Sequence, residues 1–126
     1  SLSRDYGIKT EVLVADLSKP IQLKRVENRL QNPKKPISIL VNNAGFGLNR
    51  AFSQSDLKDE ADLLSVLVST PMRLTHVALE PMLKANNGSI INISSVASWI
   101  AGGTYSAAKS YLTVLSESLH TELKET

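Results

Sequence analysis

Two short apolar runs, "ISILV" at 37–41 and "SIINIS" at 89–94, constrain this chain more than anything else in it. The first is a continuous apolar run of the kind found in strands covered on both faces, and the second also reads as a strand. Between the two lies a long segment with helical spacing, so the connection is a crossover and the strands are expected to run parallel. A third run, "EVLVA" at 11–15, is β-favouring and mostly apolar, and reads as a further strand ending at Asp16. After it, "DLSKPIQLKRVENRLQ" predicts a helix with Ser18 as a possible N-cap and Pro20 in the first turn. Ile21, Leu23, Val26 and Leu30 mark its inward side, and "NPKKP" at 32–36 ends it.

From Asp56 to about Leu83 apolar residues fall almost all round a helix, and Pro71 is expected to bend or divide it. "NNG" at 86–88 stops it. A loop at 95–103 leads to a last helix from Thr104 to about Lys124. The expected fold class is therefore α/β, a parallel sheet with flanking helices. At 126 residues the chain amounts to one domain at most.

Composition removes several kinds of function. There is no cysteine, hence no disulfide framework, thiolate nucleophile or zinc ribbon, which suits a cytoplasmic protein. His76 and His120 stand far apart without clustered carboxylates, so no metal site is expected. No apolar run approaches the roughly 18 residues of a membrane span. The net charge is +2, and the one dense basic spot, Lys34-Lys35 between prolines, reads as a solvated turn rather than a nucleic-acid footprint.

Three local features carry chemistry. "ILVNNAG" at 39–45 is a strand ending in small and amide residues, at the strand end where open α/β sheets bind ligands. There Asn43, Ala44 and Gly45 suit either close approach of backbone to a ligand or a plain tight turn. "IINISS" at 90–95 brings Ser94 and Ser95 to the next strand end, as donors to a substrate oxygen or as caps of loop backbone. "GGTYSAAKS" at 102–110 sets Tyr105 and Lys109 four apart, one helical turn, on one face. Any one of these is common by chance. All three on one sheet edge are far more specific.

In that combination the chain resembles the short-chain dehydrogenase/reductase family over nearly all its length. "VLVADLS", "ILVNNAGFG", "GSIINISSVAS" and "YSAAKSYLTVLSESLHTEL" resemble the family's third, fourth and fifth strands and its catalytic helix. The resemblance implies a Rossmann-like sheet and NAD(P)-linked hydride transfer to a carbonyl or from a secondary alcohol. It implies Tyr105 as general acid/base, Lys109 as its helper and ribose ligand, and Ser95 as the hydroxyl orienting substrate. Asp16 and Leu17 are implied beside the adenine and Asn43 at the adenosine ribose, with Ala44 and Gly45 in the same cofactor-binding group. The implied cofactor is NADP, with NAD as the alternative. A free phenol has a pKa of about 10, and a neighbouring ammonium favours its phenolate, which fits a proton shuttle near neutral pH.

Three departures qualify the resemblance. Leu67 falls where the family commonly has an asparagine that helps hold a proton-relaying water. Ser95 and Tyr105 are ten positions apart, fewer than in many members. Neither the glycine-rich first βαβ unit, whose amides grip the pyrophosphate, nor the C-terminal strands are found here, so the chain reads as an internal piece of a dehydrogenase. In the strand order 3-2-1-4-5-6 this leaves strand 11–15 separated from strand 37–41. Chain beyond these residues, a shift of strand 11–15 beside strand 37–41, or another molecule would each close that gap. The alternative function is a non-catalytic oligomerisation module that has lost cofactor binding. A nucleotide-binding module of unrelated type rests on "NNAG" alone. On the last helix Ala107, Tyr111, Val114 and Ser118 form a second small or apolar stripe, which together with the long helix before it suggests a homodimer or homotetramer. Trp99, Ile100 and Phe46 suit an apolar substrate pocket or an ordinary core.

Overall fold

In a computed structural model describing residues 1–126, two strands, β1 (Ile39–Asn42) and β2 (Ser89–Asn92), pair in parallel. Ile39 stands opposite Ser89 and Asn42 opposite Asn92. Around them the chain forms α1 (Leu2–Tyr6), α2 (Pro20–Leu30), α3 (Leu57–Leu64), α4 (Thr70–Ala85) and α5 (Gly103–Glu122). Short 3-10 turns occupy Phe52–Gln54 and Val96–Trp99. The α/β class, the parallel direction and the flanking helices are as expected. No helix is long and apolar enough to cross a membrane.

Three local expectations are corrected. Residues 11–15 form no strand, and Val12 and Val14 are 84% and 78% exposed. A strand needs a neighbour for its N–H and C=O groups, and the chain holds this segment on the α2 side instead. Glu11 accepts from Arg29 Nε (2.8 Å) and Lys35 Nζ (3.1 Å), while Asp16 N donates to Gln22 Oε1 (2.7 Å). The shift beside β1 therefore does not occur. Second, β1 is covered on one face only: Leu40 is buried, whereas Ile39 and Val41 are exposed. Third, Lys19 rather than Ser18 is the N-cap of α2, and Ile21 points to solvent. Ser18 instead donates through N and Oγ to Asp16 Oδ1, closing a turn ahead of the helix.

The long helical segment does divide at Pro71, by a specific device. Residues Ser65–Ser69 form a π-turn in which Thr70 N donates to Ser65 O. Proline lacks an N–H, so the regular bond from position 71 back to position 67 cannot form, and the helix widens just before it. Thr70 Oγ1 adds reach to Ser65 O (2.9 Å) and to Leu17 O (3.2 Å), tying the turn after residue 16 to the widening. The two halves then serve two cores. Leu74, Ala78 and Met82 pack with Leu23, Leu30 and Leu40; Leu63, Val66 and Leu67 pack with Ala108.

One charge lies inside the first interface. Glu27 of α2 accepts from Arg73 of α4 (2.6 Å) and pairs with Lys24 (3.2 Å). Burial alone pushes its carboxyl up, but the hydrogen bonds and charges of Lys24 and Arg73 outweigh that and hold it below the usual carboxylate range. A lowered folded-state pKa adds stability above the unfolded value of about 4.3, lost as pH falls through the folded value. Glu27→Gln is therefore expected to lower Tm at pH 7, by a difference that shrinks as pH falls below about 4 in thermal melts. At the other end of α4, Asn86 takes the left-handed conformation (φ 47°) that ends the helix. A methyl group on Gly88 would stand 2.5 Å from Met82 Cβ and 2.6 Å from its Sδ, so the whole methionine side chain would have to shift. Gly88→Ala is expected to cost about 1–3 kcal/mol in denaturant titration, through displacement of Met82 from the core.

Candidate functional site

The carboxyl ends of β1 and β2 open into loops 43–51 and 93–102, and the first two turns of α5 pack beneath them. Lys109 is the centre of this region. Its side chain is only 6% exposed, and Nζ donates to the Ile93 carbonyl (2.7 Å) just past the end of β2. The ammonium also stands 5.8 Å from the centre of the Tyr105 ring, within cation–π range. The α-helical spacing in "YSAAK" accounts for this, since residues four apart share a face.

The loop after β1 comes in from the other side. A methyl group on Gly45 would lie 3.6 Å from Leu67 Cδ1 and 4.0 Å from Lys109 Nζ. One on Gly47 would lie 3.7 Å from Tyr105 Cδ2. The 43–47 loop is thus drawn against both candidate residues. Leu17, Asn43, Ala44, Leu67 and Lys109 border one small cavity of about 70 Å³. That volume is far below the several hundred Å³ of a nucleotide site. Leu67 is buried in the π-turn and brings only carbon to this cavity.

Both serines have hydrogen-bond partners within the chain. Ser94 Oγ pairs with Thr113 Oγ1 (2.6 Å) and reaches the Lys109 carbonyl (3.2 Å), so it fastens β2 to α5. Ser95 Oγ accepts from Ala97 N (3.1 Å) as the N-cap of Val96–Trp99. That cap uses an acceptor lone pair and leaves the hydroxyl proton available for donation. The turn it caps rides on α5, where Ser110 Oγ donates to Ser98 O (2.6 Å).

The remaining candidates lie further out. Asn43, Ala44 and Gly45 are exposed, and Asp16 is exposed with its Oδ1 taken up by Ser18. Those hydrogen bonds, first from the Ser18 side chain and then from its amide, hold the Asp16 carboxyl below its usual range. The structure thus brings Tyr105 and Lys109 against the 43–47 loop, sets Leu17 on the small cavity that Lys109 also borders, and leaves Asp16 exposed. A larger groove of about 680 Å³ runs along β2 between the C-terminal ends of α4 and α5, and no candidate residue borders it.

Sequence reasoning missed a polar ladder beneath the site. Asn42 Nδ2 donates to Thr75 Oγ1 (3.1 Å) and Asn92 Oδ1 (2.8 Å), and Asn92 Nδ2 donates to Ser116 Oγ (2.8 Å). It crosses from α4 through both strands to α5. An asparagine at the last position of each strand was the available signal, because a polar residue ending an apolar run needs a partner when buried.

With this geometry in view, the relatives of the chain are informative. The family model for short chain dehydrogenases matches residues 1–126. The 3-oxoacyl-(acyl-carrier-protein) reductase of Aquifex aeolicus is 30% identical over 125 residues, covering 97% of this chain and 50% of that protein. The bulky-bulky ketone specific alcohol dehydrogenase from Comamonas testosteroni superposes with a TM-score of 0.93 at 32% identity, covering 98% of this chain and 50% of the other. A short-chain dehydrogenase from Sphingobium yanoikuyae in complex with NADPH does so with a TM-score of 0.92 at 31% identity, covering 98% and 49%. The chain spans about half the length of these relatives. On the match of sequence and backbone alike, this chain belongs to the short-chain dehydrogenase family.

Proposed function

We propose that the protein carrying this chain is an NAD(P)-dependent oxidoreductase acting on a carbonyl or secondary-alcohol substrate, with Tyr105 as the proton-exchanging group. The observation that carries this reading is the buried Lys109 ammonium, held to the end of β2 and turned toward Tyr105 and the 43–47 loop. A charge is costly to bury, and here a backbone carbonyl takes one of its three donors. The remaining donors suit the hydroxyls of a ribose. The residues present therefore fit the nicotinamide side of a dinucleotide, with Asn43, Ala44 and Gly45 along its path and Asp16 and Leu17 nearer the adenine. NADP, or NAD, supplies or accepts the hydride. Relatives in complex with NADPH and with NADP support the first choice.

The work of the chain's own groups follows. Ser95 donates its free hydroxyl proton to the substrate oxygen and so fixes it. Tyr105 gives a proton to that oxygen in reduction and takes one from it in oxidation. Lys109 offsets the negative charge left on the phenol. Leu67 can neither donate nor accept, so proton resupply runs past it rather than through it. Ala107, Val114 and Ser118 are exposed along α5, and Tyr111 is half-buried beside them. This face is proposed as a contact with a second copy, and sedimentation at micromolar concentration should show a dimer or larger species.

Tyr105→Phe removes one oxygen while keeping the ring packed. It is expected to lower kcat by at least about a thousandfold, within the contribution of an acid/base group and its alignment. NADPH binding, followed by fluorescence, should remain within about threefold of wild type. Turnover at the wild-type rate would remove Tyr105 from the mechanism. A wild-type protein that binds no NADPH would favour the non-catalytic module instead.

A further inference from the structure

Tyr105, Lys109 and Ser95 do not ride on one element. The Tyr105 ring belongs to the first turn of α5. The Lys109 stem leaves the same helix, but its ammonium is held by the Ile93 carbonyl. Ile93 is bound to β1 in turn, its N–H donating to Asn42 O (3.0 Å). Ser95 follows two residues later on the same segment. The ammonium and the Ser95 hydroxyl therefore move with the tip of β2, whereas the phenol moves with α5. A lysine stem is flexible, so by itself it leaves helix and strand tip loosely registered.

Ser94 fastens the two at this point. Its Oγ lies 2.6 Å from Thr113 Oγ1 and 3.2 Å from Lys109 O, and Thr113 Oγ1 lies 3.1 Å from the same carbonyl. Two hydroxyl protons cannot fill three contacts. The 2.6 Å contact holds one of them, because two oxygens that close with no proton between them repel. The other goes to Lys109 O, from Ser94 or from Thr113. A bond from Thr113 to the carbonyl four residues back stays within the helix. Of the two hydroxyls, Ser94 is the one that crosses from β2 to α5. It joins the main chain of Lys109 to the residue next to the one that holds its ammonium, so the lysine is gripped at both ends by neighbouring residues.

We propose that Ser94 is a positioning residue: its hydroxyl registers α5 on the tip of β2, so that the helix-borne Tyr105 phenol meets the strand-borne Lys109 ammonium and Ser95 hydroxyl. The registration stands on these contacts, whereas its bearing on turnover rests on the function proposed above.

The test uses Ser94→Ala and Thr113→Ala in the whole protein. Ser94→Ala leaves Lys109 O its intrahelical bond from Thr113 and removes the link between the elements. It is expected to lower kcat about tenfold, because the phenol and the two strand-borne groups lose alignment. The KM for NADPH should stay within about twofold of wild type, since the ammonium remains on Ile93 O. Amide hydrogen exchange of residues 107–113 should rise about fivefold, the scale of one lost hydrogen bond, while residues 116–122 keep wild-type rates. Thr113→Ala leaves the Ser94 hydroxyl to donate directly to Lys109 O, and should keep kcat and exchange within about twofold of wild type. Wild-type kcat in Ser94→Ala, even with a lowered Tm, would overturn the proposal, and so would an equal loss of kcat in Thr113→Ala. If Ser94→Ala does not fold, Ser94→Cys places a much weaker donor at the same position and decides on the same readouts. Should wild-type protein show no turnover, the oxidoreductase reading fails by itself, and exchange at 107–113 alone decides whether Ser94 registers the helix.

Discussion

The hydrogen bond from Lys109 to the Ile93 carbonyl is the interaction on which the site end of the molecule depends. It joins the second turn of α5 to the tip of β2, and it does so with a charge that burial would otherwise make expensive. Ser94 and Thr113 repeat the same connection with neutral groups one turn away. With α5 fixed there, the ring of Tyr105 lies 5.8 Å from the ammonium and alongside the 43–47 loop.

Polar groups also organise the middle of the sheet. The ladder from Thr75 through Asn42 and Asn92 to Ser116 runs in the direction of the strand pairing, at its last register position. It fixes where each strand stops and its loop begins. A one-residue slip of either strand would leave amides unpaired next to the cavity. Register and site geometry therefore rest on the same two side chains.

Much of this was legible from the amino acids. The continuous apolar runs located both strands, and helical spacing located the long helices. Pro71 gave the position of their division, though not its form, because a π-turn leaves no compositional trace beyond the proline. Tyr105 and Lys109 were legible because their spacing equals one turn. The failures have physical causes too. "EVLVA" has strand composition, but a strand exists only with a neighbour, and hydrogen bonds that Glu11 accepts from Arg29 and Asp16 N gives to Gln22 draw it toward α2. Ile21 and Val41 were placed inside on hydrophobicity alone, whereas burial depends on what packs opposite. Glu27 escaped notice because a carboxylate within an apolar face reads as surface until its partners are seen.

The widened turn at Ser65–Ser69 has a further consequence for the phase of the helix around it. Each residue advances an α-helix by about 100°, so one extra residue within a turn rotates everything beyond it by roughly that angle. Here the offset lets a single rod offer Leu63 and Leu67 to one helix and Leu74, Ala78 and Met82 to another. A deletion inside that one turn would therefore aim half the rod's contacts at the wrong neighbours.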